Sequence, residues 1–155
     1  MIILMALHSL AAVIWVGGLF FAYQILRPVA AEILEAAPRQ NLWMGVFQRF
    51  FFWVWLAIGV LPISGLVMIM AYGGMDRVGF HVHAMIATGI VMMLLFLHVY
   101  FVPFKRLKRA VQTQDYQAGG KSLNQIRLLV GINTFIGLIT IVIAVTGRLV
   151  WISLD

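Results

Sequence analysis

Cysteine is absent from this chain of 155 residues, and acidic side chains are scarce, with five Asp and Glu against eleven Lys and Arg. The absence of cysteine excludes disulfides, thiolate metal sites and cysteine nucleophiles. The few acidic residues fall in loops or at the terminus, which argues against a proton pump built on intramembrane carboxylates. The sequence also has no phosphate-binding loop, no zinc-protease His-Glu motif and no serine nucleophile elbow. Enzymes that depend on these motifs are therefore excluded.

Apolar residues dominate what is present. They make up 63% of the chain, and the mean hydropathy is +1.02, whereas soluble domains have roughly 45–50% apolar residues. The excess lies in blocks long enough to cross a bilayer, which takes ~20 residues. We predict helices at about 2–26, 43–72, 80–103 and 126–147. The predicted fold is all-α, a single transmembrane domain over residues 1–155 that forms a four-helix bundle in the lipid bilayer.

Basic residues are divided unevenly between the two predicted sides of the membrane. One side carries Arg77 and Arg148 only, and the other carries Arg27, Arg39, Arg49, Lys105, Arg106, Lys108, Arg109, Lys121 and Arg127. Because the side richer in Lys and Arg stays in the cytoplasm, we expect both termini and the turn at 73–79 on the periplasmic side of a bacterial inner membrane. The net charge of +6 is then a topology signal, and no nucleic-acid partner is predicted.

Four histidines lie in or beside the apolar segments. An imidazole is costly in hydrocarbon without a partner, so each is a candidate functional residue. His8 and His83 each lie a few residues into segments that run in the same direction, and we expect them at the same depth near the outer face. His81 points about 160° away from His83 on a helix with ~100° per residue. Only one of the pair can face the bundle, and His83 is preferred because it shares a face with His98.

This placement predicts a b-type haem held by His8 and His83 across the bundle. Arg148 or Arg77 would pair with the haem propionates, while His81 would cap its helix, bind a propionate or face water. His98 lies roughly 22 Å further along the helix, where it is a candidate second metal ligand, proton relay or part of a quinone or substrate site. The predicted role is electron transfer or a quinone-linked, haem-dependent membrane oxidoreductase. The alternative for every histidine is a structural hydrogen bond between helices.

Copper is the competing cofactor. His81, His83 and Met85 put three donors within five residues, and imidazole and thioether groups both bind copper. Together with His8 they would form the site of a copper-binding or copper-transport membrane protein. A third possibility is a non-catalytic subunit of a larger membrane complex or homo-oligomer.

Small and polar residues form a stripe along the fourth segment. Asn133, Gly137, Thr140, Ala144 and Gly147 recur at helical spacing. Small residues allow helices to approach closely in membranes, and hydroxyl and amide groups bond across helices. We therefore predict that this stripe faces the interior of the bundle.

The stretch from Leu7-His8 through Gly17-Gly18-Leu-Phe20 resembles the first helix of two related membrane families. These are the CopD-type proteins, named for copper resistance, and the HemJ-type proteins, which bind haem and oxidise protoporphyrinogen IX. The stretches 49–68 and 126–147 also resemble CopD-type helices. Both resemblances imply a four-helix membrane bundle. The CopD-type resemblance also implies copper passage across the membrane.

The HemJ-type resemblance implies that His8 is a haem ligand and that a porphyrin is the substrate. His98 matches a histidine late in that family's third helix. The family's second ligand is a lysine early in the third helix, where this chain has no lysine. His81 and His83 are the strong donors near that position.

Overall fold

Six α-helices make up the computed structural model over residues 1–152, with side chains described up to residue 147. They are α1 (Ile2–Phe20), α2 (Arg27–Ile33), α3 (Ala36–Ala71), α4 (Phe80–Phe101), α5 (Pro103–Gln112) and α6 (Tyr116–Ile152). A π-helical stretch, Phe21–Leu26, joins α1 to α2 without a break, and a 3₁₀ turn, Met75–Arg77, lies between α3 and α4.

Among the described residues, four helical stretches are long and apolar enough to cross a membrane. They are Ile2–Ile33, Ala36–Ala71, Phe80–Gln112 and Tyr116–Gly147. The prediction of an all-α chain with four membrane-crossing helices is thereby confirmed. The chain is a multi-pass membrane protein whose apolar helices contact the lipid bilayer.

The helices extend beyond the apolar stretches that mark them in the sequence. The first continues through Arg27 and Pro28, which directly follow the π-helical stretch Phe21–Leu26, so the Arg-Pro pair does not end it. The helices α3 and α6 begin at Ala36 and Tyr116, upstream of the predicted residues 43 and 126. The 36 residues of α3 span about 54 Å, so α3 projects well beyond a hydrocarbon core of ~30 Å.

A buried amide supports these projecting ends. Gln40, 3% exposed, donates a hydrogen bond of 2.7 Å from Nε2 to the carbonyl of Tyr116. Its side chain lies directly against Gly119, where a Cβ would overlap the amide. The start of α3 is therefore fixed to the start of α6 by a polar contact, which hydropathy does not register.

The four spans form an antiparallel bundle with an aromatic interior. The main helix pairs are α1 with α3 and α4 with α6, and α1 also packs on α6. Trp15 meets Phe96 edge-on with ring centroids 6.4 Å apart, and Phe51 packs against both Phe96 and Phe104. We call the end that holds Met1 and the 72–79 connection the histidine end. The opposite end, with α2, α5 and the starts of α3 and α6, is the basic end.

The short helix α5 is amphipathic. Pro103, Phe104, Leu107 and Ala110 are buried, whereas Lys105, Arg106, Lys108 and Arg109 are exposed. Because α5 packs its apolar face mainly against α6, its four cationic side chains line the outside of the basic end.

Candidate metal site at the histidine end

His8 is held by a hydroxyl on the neighbouring helix. Its ring is half-buried, and Nδ1 lies 2.8 Å from Oγ of Ser64 on α3. Ser64 itself is 5% exposed. Its hydroxyl donates to the carbonyl of Val60 one turn back on the same helix and lies 3.2 Å from the carbonyl of Leu61.

The donor in the His8–Ser64 hydrogen bond depends on the tautomer of His8, and the single proton of the serine hydroxyl indicates which tautomer is present. A serine hydroxyl has one proton, and here Ser64 directs it at its own helix. The hydrogen bond to His8 is therefore donated by Nδ1–H and accepted by Oγ. Nε2 is left deprotonated, with a lone pair on the far side of the ring. A neutral imidazole fixed through its other nitrogen is the form that ligates metals.

A glycine on α3 makes room for this ring. A Cβ placed on Gly65 would lie 3.6 Å from Cε1 of His8. The ring therefore packs against the α3 backbone, within van der Waals reach of any side chain added there. This contact, together with Ser64, restricts both the position and the tilt of the imidazole.

His81 faces the bundle, and His83 does not. His81 is half-buried and packs on the α6 backbone at Gly147, where an added Cβ would overlap its Cβ and lie 2.7 Å from its Cγ. His83 is exposed, and Nδ1 lies 3.4 Å from the carbonyl of Gly79 on its own helix. The preference for His83 as the inward residue was wrong, because the Gly147 contact fixes the rotation of α4. The arrangement gives no support to haem ligation by His8 and His83.

The other predicted site residues are spread over the molecule. Met85 is half-buried on α4, one turn after His81. Arg77 is exposed in the 72–79 connection at the histidine end, and His98 is exposed near the far end of α4. The side chain of Arg148 lies outside the described residues.

Two methionines that the sequence did not single out lie one helical turn from the His8–Ser64 contact. Met5 precedes His8 by three residues on α1, and Met68 follows Ser64 by four residues on α3. Residues at these spacings share a helix face, and both methionines are half-buried. Because α1 and α3 run antiparallel, both lie one turn outward from the His8–Ser64 contact. Methionine within an apolar helix is usually ordinary packing, and only the Ser64 contact of His8 reveals their placement.

The described residues contain no group of three or more His, Cys, Asp or Glu side chains that could hold a metal ion. The half-buried side chains at the histidine end include the imidazoles of His8 and His81 and the thioethers of Met5, Met68 and Met85. Imidazole and thioether groups are ligands that suit soft metals.

The polar stripe of α6 faces the bundle, as predicted. Asn133 donates from Nδ2 to the carbonyl of Met92 at 3.3 Å, and Oγ1 of Thr140 lies 2.8 Å from Oγ1 of Thr88. A Cβ on Gly137 would lie 2.8 Å from Cγ2 of Val16. The stripe thus joins α6 to both α1 and α4.

Replacement of Thr140 by Val is expected to destabilise the bundle only modestly, by about 0.6 kcal/mol, the average for interhelical hydrogen bonds in membranes. Both threonine hydroxyls also bond carbonyls of their own helices, so neither is left without a partner. The free energy of unfolding in mixed micelles measures the effect. The double variant with Thr88→Val should lose less stability than the two single variants added together. A loss equal to or larger than that sum would contradict a direct bond between the two hydroxyls.

Comparison with known proteins identifies a family model that matches most of the chain. The family model described as "Copper resistance protein D" matches residues 44–146, which cover α3 from its third turn onward, α4, α5 and most of α6. No curated protein and no solved structure matches the chain. The HemJ-type resemblance of the first helix is not supported by these comparisons.

Proposed function

The chain belongs to the copper resistance protein D family, and from this membership we propose that it is a copper-handling membrane protein that binds Cu(I) at its histidine end. Copper is here the cargo of the protein. The observation that carries the proposal is the 2.8 Å contact between Nδ1 of His8 and Oγ of Ser64. With the serine proton directed at its own helix, Nε2 of His8 is free to act as a lone-pair donor.

The donor set suits the soft monovalent ion. Nε2 of His8 and the thioethers of Met5 and Met68 are neutral nitrogen and sulfur donors, which favour Cu(I). The half-burial of all three residues limits access of water to the site. His81 and Met85 supply a second imidazole and thioether pair at the same end, one turn apart on α4.

The proposal includes an orientation in the membrane. With the basic end in the cytoplasm, the histidine end faces the periplasm of a bacterial inner membrane. The site would then lie on the side of the membrane from which copper enters the cell.

The test is Cu(I) affinity of the purified full-length chain in detergent, measured anaerobically by competition with a chromophoric Cu(I) chelator. His8→Ala is expected to weaken binding by about 100-fold, the upper end of effects known for residues around metal sites. His98→Ala is the matched control, since it removes an exposed imidazole from the opposite end of α4, and it should leave the affinity unchanged. Equal affinity in His8→Ala and the parent chain would contradict the proposal.

An absorption spectrum of the same sample distinguishes copper from haem. The copper proposal expects no Soret band after expression with ample haem. A Soret band that disappears in His8→Ala would overturn it in favour of the haem-dependent electron transfer or quinone-linked porphyrin oxidation that the sequence predicts.

Substitution of the two methionines tests the sulfur donors. Met5→Leu and Met68→Leu conserve volume, so the fold should tolerate them, and each is expected to weaken Cu(I) binding by about tenfold, or ~1.4 kcal/mol. Met70→Leu is the control, because Met70 is exposed on the same helix as Met68. The competition assay measures all three variants, and a loss in Met70→Leu equal to that in Met68→Leu would reject the assigned ligands.

A further inference from the structure

A cavity of about 410 Å³ lies at the basic end, between α5 and α6. Arg106 and Arg109 line it from α5, and Lys121, Ser122 and Gln125 line it from α6. We call it the α5–α6 cleft. Because no histidine lines it, it is separate from the proposed copper site at the other end of the bundle.

The cleft has a surplus of positive charge. Three cationic side chains line it against one carboxylate, that of Asp115, so the formal charge of the lining is +2. The carboxylate is already engaged, because Oδ1 of Asp115 accepts the backbone N–H of Ala118 at 3.0 Å in the first turn of α6. It is therefore held at the helix start and leaves the cationic groups available to a ligand.

The fold holds the cationic groups on a fixed frame. Leu107 and Ala110 are fully buried, 0% and 4% exposed, and they anchor α5 on the bundle. Arg106 and Arg109 lie three residues apart and so share one face of α5. Ser122, 6% exposed, forms the floor opposite them and donates its hydroxyl to the carbonyl of Ala118. Two arginines on α5 and a lysine on α6 thus line the same cavity.

We propose that the α5–α6 cleft binds a phosphate group. Guanidinium groups match the geometry of phosphate oxygens and bond them in pairs, and lysine adds a point charge. α5 begins two residues after α4 ends at Phe101 and carries four exposed cationic side chains. Because such side chains lie at or beyond the headgroups, the cleft lies at the bilayer surface. The phosphate therefore comes from an anionic lipid headgroup or from a free phosphate compound.

The test uses the full-length chain in detergent at about 0.15 M salt, where long-range attraction is largely screened. Retention of phosphatidylglycerol against phosphatidylcholine is measured by native mass spectrometry. Binding of inorganic phosphate and pyrophosphate is measured by phosphorus NMR. The cleft variant is the triple substitution Arg106→Gln, Arg109→Gln and Lys121→Gln. The control variant is Lys105→Gln, Lys108→Gln and Arg127→Gln, which removes the same charge from exposed residues outside the cleft.

The cleft variant is expected to lose affinity by about 100-fold, or ~2.7 kcal/mol, and the control variant by less than about threefold. Selective loss of phosphatidylglycerol identifies a lipid headgroup, and selective loss of phosphate or pyrophosphate identifies a free compound; either result supports the site. Equal losses in the two variants would mean general charge attraction and overturn the proposal. So would an absence of binding by the parent chain to every probe.

Discussion

Gly147→Ala is expected to destabilise the bundle by about 2–3 kcal/mol, the upper range for overpacking a tightly packed site. A Cβ at this position would overlap the Cβ of His81. A Cβ is fixed to the backbone, so it cannot move aside by rotating a side chain. The helices α4 and α6 must separate instead, and the neighbouring bond between Thr88 and Thr140 would lengthen with them.

The matched control is Gly89→Ala on α4. A Cβ there meets no atom within 4 Å, and alanine is a better helix former than glycine by up to ~1 kcal/mol. Gly89→Ala should therefore leave the stability unchanged or raise it. Unfolding in mixed micelles, followed by circular dichroism, measures both variants. Equal stability of Gly147→Ala and the parent chain would show that α4 and α6 do not pack as closely as described.

The contact between Gly147 and His81 explains why the sequence predicts the polar stripe of α6 correctly but not which histidine of α4 faces the bundle. The stripe is read from relative spacing, which periodicity gives directly. The choice between His81 and His83 depends on the absolute rotation of α4 about its axis. That rotation is set by the missing side chain of Gly147, 66 positions after His81, which no local pattern reports.

The hydroxyl partner of His8 could not be predicted from the sequence for a related reason. His8 was identified because imidazole is unusual in an apolar helix. In the sequence, Ser64 cannot be told apart from a serine whose hydroxyl bonds only a carbonyl of its own helix. It also lies 56 residues after His8. Met5 and Met68 gain meaning only from that pairing. Hydropathy located the four spans because a segment that contacts lipid is recognised by its apolar composition alone. The site around His8 depends instead on how one face of α1 meets one face of α3.

Ser64→Ala is expected to weaken Cu(I) binding by about 10–100-fold, the range for residues that orient a metal-ligating histidine. Without the hydroxyl, Nδ1–H of His8 loses its acceptor. The imidazole is then free to rotate or to move its proton to Nε2, the nitrogen proposed to bind copper. The fold should be preserved, because the carbonyl of Val60 loses only the serine hydroxyl and still accepts a backbone N–H within α3. The chelator competition assay measures the change.

Ser122→Ala is the matched control for this substitution. Ser122 is as buried as Ser64, 6% against 5% exposed, and its hydroxyl also bonds a carbonyl one turn back, but it lies at the basic end. Its removal should leave Cu(I) affinity unchanged. The double variant His8→Ala with Ser64→Ala tests whether Ser64 acts through His8. If Ser64 acts only by orienting His8, the double variant binds Cu(I) no more weakly than His8→Ala alone. Additive losses would instead make Ser64 an independent contributor and reject its role as the orienting partner.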